Sequence, residues 1–229
     1  MTTPGDCLAA LIDVSRTFGS AGHETVALKN ASLEVRAGEL VLLLGPSGSG
    51  KTTLLTIIAG LQRPTSGRVM LFGRPLGAYS AREMQRLRAS SIGFIFQTFH
   101  LLESLSVLEN VTLVARFAGV RRAEARRRAM DLLDRFGVDR LAGSSPRTLS
   151  QGEKQRVAVA RALVNGAELI LADEPTGSLA TQQGFEVVRM IRDCVKNEGR
   201  CAVVVSHDER IAEFSDRVLH LRDGSLSID

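Results

Sequence analysis

The segment Gly45-Pro46-Ser47-Gly48-Ser49-Gly50-Lys51-Thr52 has the pattern G-x-x-x-x-G-K-[ST], the spacing of a loop that cradles phosphate. Its glycines let backbone N–H groups converge on phosphate oxygens. A helix N-terminus behind them adds a favourable partial charge. Lys51 is placed to reach the β- and γ-phosphates of a nucleotide, and the Thr52 hydroxyl to ligate Mg²⁺. The flanks fit this chemistry. Leu40 to Leu44 is an unbroken apolar run, and Thr52 to Ala59 reads as a helix with Gly60 at its C-terminal cap.

A second reactive pair, Asp173-Glu174, follows the apolar run Leu169 to Ala172. Adjacent carboxylates at the end of a buried strand, in a chain with a phosphate loop, suit a metal site and a base. Asp173 would hold Mg²⁺ through its water shell, and Glu174 would orient and deprotonate an attacking water. His207 closes a third apolar run, Ala202 to Val205. A polar tip on a parallel strand faces the ligand edge of such a sheet, where it could contact a γ-phosphate. A lone histidine at a strand end also serves as a structural hydrogen bonder. Ser150-x-x-Glu153 has the spacing of a capping box. The same helix start, with Ser150 and Gly152, is an anion site. The two readings coexist, because capping turns Glu153 back toward the Ser150 N–H.

These residues must be positioned by alternating strands and helices. Leu8 to Val14 and Ala31 to Val35 read as strands, separated by the polar turn Gly19-Ser20-Ala21-Gly22. Val69 to Phe72 is a short strand, residues 81–90 are helical, and Ser91 to Phe96 is a strand ending at Gln97. From about Ser106 to Leu141 the period shifts toward helix, most clearly over Ala123 to Phe136, before the loop Gly143-Ser144-Ser145-Pro146. A helix then runs from Leu149 to about Val164. Strands Leu169 to Ala172 and Cys201 to Val205 flank an amphipathic helix over 184–196. Such alternation implies a mostly parallel sheet with helices on both faces. The helical stretch near 98–148 interrupts it as an insertion.

Composition bounds the reading. The chain has 229 residues, 44% hydrophobic and 24% charged, enough for a substantial core. No apolar run approaches the roughly 18–20 residues needed to span a bilayer, and the first ten residues lack a signal-peptide pattern. Three cysteines without metal-ligand spacing suit a reducing, intracellular setting rather than a disulfide framework. The net charge of +4 is mild, and with one Tyr and no Trp there is little sign of a base-stacking platform. The basic cluster Arg121-Arg122 and Arg126-Arg127-Arg128 has Glu124 interleaved. It reads chiefly as a solvated helix face, with contact to acidic lipid or nucleic acid as the alternative.

Taken together these residues resemble the nucleotide-binding subunits of ABC transporters, from about Leu8 to Leu226. Residues 45–52 look like the P-loop, and Gln97 like the Q-loop glutamine. Residues 149–153 look like the signature motif, 169–174 like the Walker B strand with its catalytic glutamate, and His207 like the switch histidine. Phe18 lies where an aromatic stacks on adenine. The stretches Gly93 to Gln97, His100-Leu101-Leu102 and Leu171 to Gly177 resemble the branch of macrolide-exporter and lipoprotein-releasing ATPases.

The resemblance implies a single domain over 1–229. A RecA-like P-loop NTPase core with an antiparallel β subdomain spans 1–97 and 166–229, and a helical subdomain with the signature helix spans 98–165. It implies ATP and Mg²⁺ as ligands. Gly45, Pro46, Ser47, Gly48, Ser49, Gly50, Lys51, Thr52, Thr53, Phe18, Ser150 and Gly152 would contact nucleotide. Thr52, Gln97 and Asp173 would hold the metal, and Glu174, His207 and Gln97 would act in catalysis. Two copies would pair head to tail around two ATP, each ATP lying between the P-loop of one and the signature helix of the other. The pair would drive an integral membrane permease, in export or in lipid or lipoprotein extraction, from the cytoplasmic face of the inner membrane. The segment Thr98 to Val114 falls where the family docks a short permease helix, with Glu103, Ser104 and Glu109 available as a polar rim.

Three positions depart from the family pattern. Gln151 stands where the signature usually has Gly, Glu153 where it has Gln, and Ala180 where the D-loop has Asp. A soluble ABC-type ATPase acting on nucleic acid or ribosomes is the competing reading. One cassette and no heptad run argue against it, and no nucleic acid is expected. A regulatory module without turnover is a third reading, which Glu174 disfavours.

Overall fold

The computed structural model describes residues 6–19 and 23–228. The chain opens with β1 (Cys7–Phe18) and β2 (Thr25–Arg36), then β3 (Leu40–Leu44) and α1 (Lys51–Ile58). β4 (Ser66–Leu71), the short β5 (Arg74–Pro75), α2 (Ala81–Ser91) and β6 (Ile92–Ile95) follow. Helices α3 (Val107–Phe117), α4 (Arg122–Arg135) and α5 (Gln151–Leu163) come next. β7 (Leu169–Asp173), α6 (Thr181–Glu198), β8 (Cys201–Ser206), β9 (Arg217–Arg222) and β10 (Ser225–Ile228) complete the order.

Two sheets form. β2-β1-β4-β5 is antiparallel, and β10-β9-β3-β8-β7-β6 is parallel except for β10 at its edge. Strands β3 and β8 are buried along their whole length, which is why they read as continuous apolar runs rather than alternating ones. Alternation survives in where each side chain goes. Leu40, Leu42, Ala202, Val204, Ile170 and Ala172 enter one core, against α3 to α6. Val41, Leu43, Val203, Val205, Leu169 and Leu171 enter the other, against α1 and the antiparallel sheet. The period of two on a pleated strand therefore feeds both faces at once.

The sequence-based elements recur with shifted ends. The strand expected over Leu8 to Val14 extends to Phe18, and the helix expected over 184–196 begins at Thr181. Ser20, Ala21 and Gly22 of the expected polar turn lie outside the described residues. The hairpin β9–β10 has no counterpart in the sequence reading, although its turn is Asp223-Gly224 at φ 47 and 80. Asp-Gly between two short apolar alternations is a hairpin signal. β9 pairs with β3, Leu44 lying beside His220, so the hairpin closes that side of the parallel sheet.

β6 is held close to α5 by a single glycine. A Cβ on Gly93 would sit 2.2 Å from the Ala162 carbonyl oxygen, so strand and helix cannot keep this spacing around any side chain. Gly93→Ala should therefore destabilise the chain by about 1–3 kcal/mol, the range for overpacking. Urea unfolding checks this: the midpoint should fall with the slope unchanged, and an unaltered midpoint would show that β6 and α5 separate freely.

Candidate functional site: the carboxyl edge of the parallel sheet

The loop from Gly45 to Gly50 leaves β3 and enters α1 with its N-cap Gly50 at φ 105. A Cβ there would come within 2.2 Å of the Ala27 carbonyl oxygen, so this left-handed corner admits only glycine. Lys51 folds back over the loop. Its Nζ donates to the carbonyls of Gly45 at 2.7 Å and Pro46 at 3.0 Å, and only 7% of the residue is exposed.

Strand β7 brings two carboxylates to the same edge, and its neighbour β8 brings His207. In the β7–β8 register Asp173 lies beside Val205, and the Glu174 N–H donates to the Val205 carbonyl at 3.0 Å. Asp173 accepts from the Thr52 hydroxyl at 2.9 Å. Burial pushes the Asp173 carboxyl above its ordinary range. The Thr52 hydrogen bond opposes the shift, and the charge of Glu174 adds to it. Glu174 turns into the site on a left-handed backbone, φ 47, and is 9% exposed. Its Oε1 lies 3.5 Å from Lys51 Nζ. Its Oε2 lies 2.9 Å from His207 Nδ1 and accepts from the His207 N–H at 3.4 Å. One carboxylate is thus fixed between an ammonium and an imidazole. That is the arrangement of a base whose direction is set before substrate arrives.

A cleft of about 350 Å³ gathers Ser47, Gly48, Gly50, Lys51, Thr52, Thr53, Gln97, Asp173, Glu174 and His207 around this edge. The remaining expected contacts lie elsewhere. Gly45, Pro46 and Ser49 shape the loop without lining the cleft. Phe18 is 37% exposed, with the Arg16 guanidinium 4.5 Å over its ring, and it too is outside the lining. Ser150 and Gly152 sit at the start of α5, where both readings of that segment meet. The Ser150 N–H and hydroxyl donate to Glu153 at 3.0 and 2.8 Å, and Ser150 Oγ accepts from the Glu153 N–H at 3.3 Å. These bonds hold the Glu153 carboxyl below its ordinary range, and Arg140 pairs with it at 2.7 Å. Gly152 is covered by Gln183. A Cβ there would meet that side chain at 3.2 Å.

A second groove, about 360 Å³ and largely apolar, lies beyond Gln97, lined by Phe94, Phe96, His100, Leu102, Leu113 and Val114 among others. Phe94 stacks on Phe96 at 4.3 Å and Phe96 on His100 at 4.6 Å. Phe99 and His100 are both left-handed, φ 58 and 49, and Arg161 donates to both of their carbonyls. Buried Asn110 donates to the carbonyls of Leu102, Leu105 and Ser106 and accepts from the Leu102 N–H. Sequence reasoning gave Asn110 and Arg161 no part, yet they fix this loop. Of the expected rim, Glu103 pairs with Arg147 at 2.8 Å, whereas Glu109 caps α3 through Ser106.

A family model described as ABC transporter matches residues 28–177. The chain belongs to the ABC transporter family. Among its relatives, the macrolide export ATP-binding/permease protein MacB of Agrobacterium fabrum is 43% identical over the whole chain, which covers 35% of that protein. The chain thus spans about a third of the MacB relatives it matches. HrtA of Staphylococcus epidermidis, named as a hemin import ATP-binding protein, is 44% identical over 93% of this chain and 96% of its own length. The fold matches the dimeric bacterial ABC transporter cassette MJ0796 at TM-score 0.88 and 38% identity, covering 96% of both chains. A post-hydrolysis MJ0796 dimer bound to ADP and Pi matches at TM-score 0.88 and 36% identity, covering 96% of this chain and 98% of that one. The chain is an ABC ATPase, with the P-loop core, antiparallel sheet and helical insertion of that fold. The nucleic-acid or ribosome reading is set aside.

Ala180, the D-loop departure, occupies the N-cap of α6 at φ −61 and ψ 147, with no side-chain cap. An Asp there would accept from the first-turn N–H groups. Ala180→Asp should raise stability by about 1 kcal/mol, or roughly 2–4 °C in the melting midpoint. Differential scanning calorimetry reads this directly; a lower midpoint would mean that the D-loop adopts another backbone.

Proposed function

We propose that this chain hydrolyses ATP at an edge site completed by a second copy, and transmits the cycle to a membrane permease. The observation that carries it is the single carboxylate of Glu174 held between Lys51 and His207, beside the Thr52–Asp173 pair. Lys51, with the N–H groups of Gly48 to Thr52, supplies positive potential for the β- and γ-phosphates. Glu174 accepts the proton of the attacking water, and His207 keeps that carboxylate aimed. The Thr52 hydroxyl, the Asp173 carboxylate and the Gln97 amide are hard oxygen donors suited to Mg²⁺. Bound there, Mg²⁺ would neutralise phosphate charge in the transition state.

Ser150 and Gly152 stand outside this cleft, so within one copy the γ-phosphate side is left open. Head-to-tail pairing would bring the Ser150 hydroxyl and the α5 N-terminus of one copy to the nucleotide of the other. The dimeric relatives support this reading. The apolar groove beyond Gln97 fits an amphipathic permease helix, as helix-in-groove recognition requires apolar anchors. Among the described residues no helix is long and apolar enough to cross a membrane. A separate or fused permease would then hold the chain as a peripheral subunit at the cytoplasmic face of the inner membrane. The MacB relatives favour export; HrtA carries an import name.

Glu174→Gln preserves shape and removes the base. Turnover should fall by about 10²–10⁴, while Mg²⁺-dependent binding of a fluorescent ATP analogue persists. Phosphate release and nucleotide titration measure the two separately. Undiminished turnover would assign the base elsewhere.

A further inference from the structure

Beyond the nucleotide cleft and the apolar groove, the strongest unassigned feature is basic. A cleft of about 570 Å³ between α3 and α4 is lined by Ser106, Glu109, Arg116, Arg122, Arg126 and Met130, among others. Glu109 lines the cleft as its one carboxylate, hydrogen-bonded to the neutral Ser106, and the carboxylates beside it are ion-paired. Glu109 accepts from the N–H and hydroxyl of Ser106 at 2.8 and 2.7 Å. Glu124 pairs with Arg127 and Arg128, and Asp131 with Arg127. The exposed side chains of Arg116, Arg122 and Arg126 have no hydrogen bond or ion pair among the described residues. Three arginines against the one carboxylate of Glu109 leave the cleft lining net positive, which favours an outside anion. The planar guanidinium fork matches phosphate oxygens.

A second observation selects the anion. Phe117 follows Arg116 at the end of α3 and is 74% exposed. An exposed aromatic ring beside unpaired arginines is the interfacial pattern, with cations on headgroups and the ring at the acyl boundary. Position agrees. Asn110, Leu113 and Val114 of α3 line the apolar groove, while Glu109, Thr112 and Arg116 line the basic cleft. On a helix about 10–12 Å wide these are adjacent faces, so a permease helix seated in the groove brings the cleft close to the membrane. This last step rests on the permease reading above.

We propose that the α3–α4 cleft, with Phe117 beside it, docks on the phosphate headgroups of an anionic lipid bilayer, giving the subunit a membrane contact of its own. Flotation of the 229-residue chain with phosphatidylcholine vesicles, with and without phosphatidylglycerol, tests this without any permease. Wild type should partition onto the anionic vesicles and lose that binding as salt rises. Arg116→Gln/Arg122→Gln/Arg126→Gln should lower the partition coefficient on the order of a hundredfold, with basal ATPase activity and melting midpoint unchanged. Phe117→Ser should lower it severalfold. Arg68→Gln/Arg82→Gln/Arg86→Gln removes the same charge from exposed positions elsewhere and should retain most binding. The proposal is overturned if wild type ignores the anionic lipid, or if the control triple variant loses as much as the cleft variant. It also fails if the cleft variant binds vesicles normally but no longer co-purifies with a permease in detergent, which would make this face a protein interface. The vesicle measurement involves neither nucleotide nor permease, so its failure leaves the ATPase reading intact.

Discussion

The parallel ladder through β3, β8 and β7 is the constraint on which the site depends. Leu44 lies beside Ser206, and Asp173 beside Val205. The first residues beyond the strands remain tied to it: the Gly45 N–H donates to Ser206 and the Glu174 N–H to Val205. Three loops therefore leave one edge at one height, carrying Lys51, Glu174 and His207. A slip of one residue would exchange the two cores, because alternate side chains enter opposite faces. The register is thus enforced by burial on both sides, and the chemistry inherits its precision from the hydrophobic core.

Given that frame, the buried charges restrict one another. An unpaired ammonium or carboxylate at such low exposure would be costly. Lys51 answers to two loop carbonyls and to Glu174, and Glu174 answers to Lys51 and His207. Holding Glu174 in the left-handed region costs on the order of 1–2 kcal/mol, offset by the hydrogen bond from its N–H and those its carboxylate accepts. The strain sits on the residue proposed as the base, so on that reading local backbone conformation would set the direction of proton transfer.

Much of this was legible in the sequence because it is local. The phosphate loop needs glycines at fixed offsets, and fully buried strands need unbroken apolar runs, so both appear as short patterns. The joint order of these motifs also made the family recognisable. What was not legible depends on contacts distant in the chain. Asn110 binds a loop that begins eight positions earlier, Arg161 reaches carbonyls more than sixty positions away, and Gln183 covers Gly152 from another helix. Glu109, expected on the groove rim, instead caps α3 through Ser106, a spacing given no part in the sequence reading. The role of position 180 as a helix cap was hidden because the amphipathic pattern of α6 begins only at Gly184. The β9–β10 hairpin was missed despite its Asp-Gly turn, since each arm is too short for a strong alternation.

The central claim is that this edge forms half of a composite site. Lys51, Asp173 and Glu174 line one cleft, while Ser150 and Gly152 lie outside its lining, so on the proposed reading a second copy would close the nucleotide. Sedimentation equilibrium of Glu174→Gln with Mg²⁺-ATP measures this most directly, because blocked turnover should trap the closed state. The account predicts a mass twice that of the chain with ATP, returning to the monomer mass when Ser150 is replaced by Arg. A Glu174→Gln protein that carries ATP yet sediments as a monomer at every concentration would contradict it.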